Sequence, residues 1–286
     1  MKRLIVLLGV LGTSLSAVLV RWATAPSLVL VFYRMAFTVL LLSPAVFLRN
    51  REELKGLKRK EVLLCLASGA FLGLHFSAYF QSLRMTSIAA AVVLADTEVL
   101  FVALATVLIL HRRLPKKAWI AVALAFAGSV VVAMADTTVG TDVLWGNILG
   151  LASAMFTAVY TMIGVVCRRN ISTAVYTYLV YLAAGITVLA IALASGQPLT
   201  GYGSGNYLAA LGMAVCCTLL GHSVFSWGLK YLSPAFISTA KLMEPVLASV
   251  WGLLLFSEMP GLQVVLGGVV IIVGIALYCN TPAEET

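Results

Sequence analysis

The chain has 286 residues, of which 62% are hydrophobic and only 10% charged, and its mean hydropathy is +1.04. A soluble globular domain carries about 25% charged residues, so this composition excludes one and indicates an integral membrane protein. A net charge of +8 can indicate a nucleic-acid partner. Here the basic residues stand in short links between apolar runs, as the positive-inside bias requires, so no nucleic-acid partner is expected.

Ten apolar stretches are long enough to cross a bilayer, which takes about 20 residues per helix. The first could also be a signal peptide, but its apolar run exceeds the usual core of about 7–15 residues, so we expect an uncleaved span. The predicted fold is an all-α polytopic membrane protein. Its spans 1–10 are predicted at residues 4–21, 27–48, 62–82, 88–110, 118–135, 145–166, 173–194, 207–228, 234–256 and 262–279.

The distribution of basic residues in the links predicts the orientation. With the N-terminus in the cytoplasm, fifteen of the nineteen lysines and arginines fall in cytoplasmic segments. We therefore expect a multi-pass protein of the inner cell membrane, with both termini cytoplasmic.

The chain repeats itself at an offset of 146 residues, so that 83–100 aligns with 229–246 and Glu98 with Glu244. Each half then holds five spans, and an odd number turns the second half upside down relative to the first. Such inverted repeats are common in transporters and place the substrate site near the midplane. The five-helix repeats are predicted at 1–142 and 143–286.

Two glutamates are the strongest candidates for a site. Glu98 and Glu244 lie ten residues into spans 4 and 9, which is about 15 Å deep at a rise of about 1.5 Å per residue. Acids at this depth are costly and are functional hypotheses by default. They would bind a substrate or exchange a proton. If the two carboxylates lie close together, their repulsion favours a state in which one of them is protonated. The structural alternative is a paired or protonated glutamate that satisfies the backbone of a broken helix.

Pro245 follows Glu244 directly and removes a backbone donor, which predicts a kink in span 9. Val99 occupies the corresponding place in span 4. A built-in kink is therefore expected in span 9 alone.

Three further charges lie within spans. Lys241 is three residues from Glu244 and shares its helix face, so it either neutralises Glu244 or contacts a substrate carboxylate or phosphate. Asp96 lies about 200° around the helix from Glu98, and one of these acids could pair with Arg34 or Lys241 instead. For Arg34 we favour a structural ion pair that locks helices together.

The remaining candidates of the substrate or ion pathway are His75, Tyr79, His222 and Trp251. The two histidines could titrate, although a lone helical histidine more often donates a hydrogen bond to a neighbour. The aromatic side chains could line a cavity and stack on a ring or cation, although helix packing is their commoner role. No catalytic or metal-binding pattern occurs in the sequence, and no cofactor is expected.

Several motifs resemble EamA-type permeases of the drug/metabolite transporter superfamily. In the second half they are Gly221–Ala235 (GHSVFSWGLKYLSPA) and Leu242–Val246 (LMEPV); in the first half they include Phe32–Arg34 (FYR) and Thr86–Ala90 (TSIAA). The resemblance implies ten helices in two inverted halves, with a cavity lined largely by spans 1, 3, 4, 6, 8 and 9. It also implies export or exchange of small metabolites, often amino acids, by alternating access without ATP.

The chain departs from the family pattern in ways that concern the substrate. Lys241 stands where such sequences are usually apolar, Val99 replaces the usual proline, and Asp96 adds a charge. These departures favour a polar or zwitterionic substrate.

The expected function is export or exchange of a small polar metabolite, foremost an amino acid. One alternative is a nucleotide-sugar or organic-phosphate antiporter in which Lys241 and Arg34 grip the phosphate. Another is a membrane-embedded enzyme that acts through His222 and the acids. The expected partners are a small-molecule substrate and the lipid bilayer, and a homodimer is left open.

Overall fold

The structure, a computed structural model, describes residues 1–86, 88–134, 142–257 and 259–281. Ser87 in the predicted repeat, residue 135 at the end of span 5 and residues 282–286 of the second half lie outside the described residues. Every regular element within them is helical, as expected where no water satisfies backbone groups. The helices are α1 Lys2–Arg21, α2 Ser27–Arg49, α3 Arg51–Gly56, α4 Arg59–Met85, α5 Ile88–Asp96, α6 Glu98–Leu108, α7 Lys116–Ala133, α8 Val143–Cys167, α9 Thr173–Ala194, α10 Ser204–Gly212, α11 Ser223–Gly228, α12 Pro234–Lys241, α13 Glu244–Phe256 and α14 Leu262–Cys279; residues Met213–His222 form a π-helix between α10 and α11, the π segment.

Nine helical stretches in the described part of the chain are long and apolar enough to cross a membrane. They correspond to predicted spans 1–4 and 6–10. Span 4 consists of α5 and α6, span 8 of α10, the π segment and α11, and span 9 of α12 and α13. Span 5 corresponds to α7, which has 18 residues but is not among the nine. The count of ten therefore remains a prediction.

The perimeter of the molecule is apolar. Leu108, Leu208 and Leu254 are 68%, 67% and 65% exposed, which is costly in water but suits contact with lipid tails. Large side chains such as Tyr176 and Tyr181 are buried inside. Together with the apolar helices, this surface identifies a multi-pass membrane protein.

The start and the end of the helical bundle lie side by side. The guanidinium of Arg3 contacts the carbonyl oxygens of Cys279 and Thr281. An even number of crossings returns a chain to its starting side, so this contact supports α7 as a tenth span.

The pairing of the helices follows a pattern. Extensive contacts join spans 3 and 6, 1 and 8, 2 and 7, and 5 and 10. Further contacts join spans 4 and 6, 1 and 9, 3 and 7, and 2 and 8. Exchanging each span n for span n ± 5 maps each of these pairings onto another of them or onto itself, whereas the smaller contacts of span 9 with spans 5 and 6 have no counterpart of similar extent among the described residues. An inverted repeat would produce this pattern, and the repeat itself stays a prediction.

Glycines allow the closest helix approaches. The Gly69/Gly73 pair brings α4 against α9, where a Cβ on Gly73 would lie 2.9 Å from the carbonyl oxygen of Ala184. On α1, a Cβ on Gly12 would lie 2.6 Å from the carbonyl oxygen of Cys216 in the π segment. Small residues at such crossings are typical of membrane helices, and they bring α1 and the π segment close to the charged residues described next.

Candidate functional site

A buried ion pair connects Glu98, the first residue of α6, with Lys241, the last residue of α12. The Nζ atom of Lys241 lies 2.6 Å and 2.8 Å from the two carboxylate oxygens of Glu98. Ser238, one turn earlier on α12, donates a hydrogen bond of 3.0 Å to the same carboxylate. The side chains of Lys241 and Glu98 are only 18% and 10% exposed. Spans 4 and 9 therefore meet at a charge pair that is largely withdrawn from solvent.

Both of these spans are interrupted beside an acid. In span 9, α12 ends at Lys241 and α13 begins at Glu244, just before Pro245. In span 4 the interruption is the single residue Thr97, whose backbone stays in the right-handed helical region. Span 4 has no proline there, so the expectation of a built-in kink in span 9 alone stays a prediction. The hydroxyl of Thr97 donates to the carbonyl oxygen of Leu94 at 2.5 Å, and such local bonds compete with the regular helical ladder.

The broken ends match the charges of most residues that stand there. Glu98 and Glu244 begin helices, where the helix dipole is positive, and Lys241 ends one, where it is negative. Asp96 is the exception, since it ends α5. Broken helices that present their ends to polar groups at mid-depth are a recurring feature of transporter binding sites.

Glu244 does not form the ion pair that its spacing from Lys241 suggested. Lys241 reaches across to span 4, where both carboxylate oxygens of Glu98 hold it. Instead, Thr13 of α1 donates a hydrogen bond of 2.8 Å to Glu244. Next to it, Trp251 donates through Nε1 to the hydroxyl of Ser14 at 2.9 Å. Spans 1 and 9 are thus joined by neutral donors, and Glu244 keeps no lysine or arginine at ion-pair distance among the described residues.

Asp96 faces away from the ion pair. The hydroxyl of Ser129 on α7 donates a hydrogen bond to its carboxylate. One of the two acids of span 4 was expected to pair with Arg34 or Lys241, and in the structure that acid is Glu98, which pairs with Lys241.

Arg34 is buried, with 3% of its surface exposed, and the structural ion pair expected for it is absent among the described residues. Its Nε donates to the hydroxyl of Thr218 in the π segment at 2.7 Å, and its guanidinium lies 5.1 Å from the ring centre of Phe76. Its Nη2 has no hydrogen-bond partner in the described part of the chain. The guanidinium is thus held in place with part of its donor capacity unused.

The two histidines flank Phe76, and Tyr79 stacks on one of them. The His75 ring lies 5.2 Å from that of Phe76 and stacks on Tyr79 at 6.1 Å, and the His222 ring meets Phe76 edge-on at 5.7 Å. Nδ1 of His75 is within hydrogen-bonding range of Ser153 and Thr157 on α8. This is the structural role anticipated for a lone helical histidine.

Sequence reasoning missed the hydroxyl partners of the charged groups. They are Thr13, Ser129, Thr218 and Ser238. Serine and threonine are common in membrane helices, so only Ser238, one turn from Lys241 on the same face, carried a usable signal. The π segment carried no signal that we could identify.

The charged groups form one electrostatic cluster. Asp96, Glu98, Lys241 and Glu244 interact with one another, and Glu244 interacts with Arg34. The described residues hold no group of histidine, cysteine or acidic side chains that could bind a metal ion. The cluster offers ionic and hydrogen-bonding groups suited to a small polar molecule.

Comparisons with known proteins agree with a transport role. The family model described as "EamA-like transporter family" matches residues 2–134 and 144–279. The pseudopaline exporter CntI of Pseudomonas aeruginosa is 28% identical over 264 residues, covering 91% of this chain and 88% of the relative. An uncharacterized transporter of Bacillus subtilis, YxxF, is 24% identical in an alignment that covers 91% of this chain and 86% of the relative. A solved crystal structure with 17% identity aligns over 97% of this chain and 96% of its own with a TM-score of 0.82, which shows a shared fold.

Proposed function

Because the chain belongs to the EamA-like transporter family, we propose that it exports a small polar metabolite of the amino-acid type. Export would occur by alternating access of two halves, residues 1–142 and 143–286, about a site between spans 1, 4 and 9. The protein would lie in the inner membrane with both termini in the cytoplasm, as the link charges predict.

The observation that carries the proposal is the buried ion pair between Glu98 and Lys241. It joins one span of each proposed half, at the point where both spans are interrupted. A buried charge pair is weak evidence for stability alone, because burying two ions costs as much as their attraction returns. The ion pair would instead serve the transport cycle, as a contact that forms and breaks when the two halves rock.

Glu244 supplies the second part of the proposed mechanism. Its carboxylate has a neutral partner, Thr13, and no lysine or arginine at ion-pair distance in the part of the chain that the structure describes. We assign it to binding the substrate amine, or a proton when the substrate has left. Exchange of the two at one acid would couple export to proton entry.

The relatives support the direction and the size class of the cargo. The name of the Pseudomonas aeruginosa relative states that it exports pseudopaline, a small molecule in keeping with an intramembrane site. At 28% identity this likeness supports small-molecule export. The chemical class of the substrate is argued from the residues of the site.

The test is counterflow in proteoliposomes with a panel of labelled amino acids at two pH values. We expect wild-type protein to move at least one of them, Glu244→Gln to abolish that movement, and Glu98→Gln to reduce it. Glu52→Gln removes an exposed acid from α3 and serves as the control, with unchanged flux. Movement that survives in Glu244→Gln with its pH dependence intact would refute the assigned role of Glu244.

A phosphate-bearing substrate is the second candidate, favoured by the unpartnered guanidinium nitrogen of Arg34. Against it, Lys241 is already engaged by both oxygens of Glu98. Inhibition of counterflow by organic phosphates, relieved by Lys241→Ala, would favour this candidate over the amino-acid type.

A further inference from the structure

Two buried arginines in this chain differ in how their guanidinium groups are satisfied. Arg168, 2% exposed, donates from all three nitrogens: Nε to the Ser226 carbonyl, one Nη to the Ile171 carbonyl and the other to the Thr173 hydroxyl. Arg34 is 3% exposed; its Nε donates to Thr218, but its Nη2 has no hydrogen-bond partner among the described residues. The chain can therefore satisfy a structural arginine, and at Arg34 it does not.

The guanidinium of Arg34, with Nη2 unpartnered among the described residues, cannot lower the free-energy cost of its burial by losing a proton. An arginine side chain stays charged in proteins, and a buried charge is costly unless it is paired. An anion that binds the guanidinium of Arg34 during the transport cycle would explain why a buried charge with an unused donor stands there.

The surroundings hold the guanidinium in one orientation. Phe76 lies under it at 5.1 Å from the ring centre, in the range of a cation–π contact. Thr218 accepts from Nε at 2.7 Å, and its own hydroxyl is 3.3 Å from the carbonyl oxygen of Met213, five residues earlier. Because the Thr218 hydroxyl donates its proton to Met213, its lone pairs are left to accept from Arg34.

We propose that Arg34, fixed by Thr218 and Phe76, binds the carboxylate of the transported molecule. This inference rests on the proposed function and deepens it. Glu244, which interacts electrostatically with Arg34, binds the amine at the other end. The substrate class is then a zwitterion that carries both groups.

The charge of the cluster favours a carboxylate over a phosphate. Asp96, Glu98 and Glu244 supply three acids, and Lys241 is held by one of them. A phosphate monoester brings a charge of about −1.5 to −2 to a site with one unpaired cation. A carboxylate brings a single charge and matches the planar fork of a guanidinium.

The experiment compares each labelled amino acid that wild-type protein moves with its amide, which keeps the amine and lacks the carboxylate. Both are used unlabelled as competitors of counterflow. We expect the acid to compete at least about tenfold better than the amide in wild type, the size expected for a hydrogen-bonded charge. In Arg34→Gln this ratio should fall to near one, with Arg34→Lys in between.

Thr38→Val is the matched control. Thr38 lies one turn from Arg34 on α2, is fully buried, and its hydroxyl donates to the carbonyl of Arg34, so the ratio should stay as in wild type. If Arg34→Gln does not fold, as judged by gel filtration in detergent, the wild-type ratio and that of Arg34→Lys decide.

Four results would overturn the inference. A wild-type protein that moves amino acids but does not distinguish acid from amide, or a ratio unchanged in Arg34→Gln, refutes the subsite while the proposed function stands. Competition by inorganic phosphate that is lost in Arg34→Gln replaces the carboxylate by a phosphate. A wild-type protein that moves no amino acid refutes the proposed function and this inference with it.

Discussion

At the scale of single residues, replacing one member of the pair formed by Glu98 and Lys241 should affect stability differently from replacing both. Removing one partner leaves an uncompensated charge in the interior, which costs about 3–5 kcal/mol. Removing both leaves no charge behind and can be nearly neutral. Stability should therefore depend on the match between the two positions more than on the charges themselves.

We expect Glu98→Gln and Lys241→Met each to lower the thermal unfolding temperature in detergent, and the double variant to recover most of the loss. The reason is that the double variant buries no lone charge. Thermal unfolding of the four proteins, followed by tryptophan fluorescence, measures this coupling. Additive losses would show that the two side chains do not act as a pair in the folded protein.

The site was only partly predictable at this scale. Mid-depth acids stand out because a charge in lipid is rare and costly, which drew attention to Glu98 and Glu244. Their partners did not follow, because pairing depends on helix rotation and on the two interruptions. The spacing of Lys241 and Glu244 gave a wrong partner, because Glu98 on another span holds Lys241.

At the scale of elements, the pair α7 and α14 shows how glycines set the distance between helices. A Cβ on Gly267 would lie 2.8 Å from the carbonyl oxygen of Gly128, whereas one on the adjacent Gly268 would meet Val246 at an ordinary 3.5 Å. The two neighbouring glycines thus differ in the space they leave for an added methyl group, because Gly267 faces α7 and Gly268 faces α13.

Gly267→Ala should destabilise the protein by about 1–3 kcal/mol, the usual cost of overpacking, while Gly268→Ala should stay within about 0.5 kcal/mol of wild type. The two variants add the same methyl group to adjacent positions of one helix, so helix propensity cancels between them. Melting temperatures in the same detergent provide the comparison. Equal melting temperatures would contradict the close approach of α7 and α14.

The elements themselves were largely predictable, since apolar length marks a membrane helix. Their irregularities were not. Pro245 marked the interruption of span 9 in advance, but the one at Thr97 comes from a side-chain hydrogen bond that any threonine could make. The link predicted at 49–61 likewise contains a short helix, Arg51–Gly56.

At the scale of the whole molecule, the number of crossings decides which links face which side. Five predicted spans, 3 to 7, separate the link that contains Gly56 from the one that contains Gly203. Without α7 only four would separate them, and both links would face the same side. The tenth span and the orientation are therefore open to one measurement.

Gly56→Cys and Gly203→Cys place a thiol on each side. An added Cβ would meet nothing within 4 Å at either position, so both changes should leave the fold intact. We expect a membrane-impermeant maleimide to label Gly203→Cys in intact cells and Gly56→Cys only after permeabilisation. Wild-type protein, with its native cysteines, gives the background, and labelling of both variants from the same side would rule out ten spans.

Membrane location and family followed from composition and motifs, because both depend on many residues at once. The pairing of helices did not, since an apolar helix can pack on several faces. The repeat at an offset of 146 residues narrows the choice, and the pairing found is one that such a repeat permits.

The charges around the two interrupted helices have an electrical consequence. Arg34 and Lys241 contribute +2 and Asp96, Glu98 and Glu244 contribute −3, so the cluster sums to −1, and one bound proton brings it to zero. Each net charge that crosses a membrane held at about 100 mV changes the free energy by about 2.3 kcal/mol. A protonated carrier and a carrier loaded with a zwitterion differ by that one charge, so the membrane potential would act on one half of the cycle and leave the other untouched.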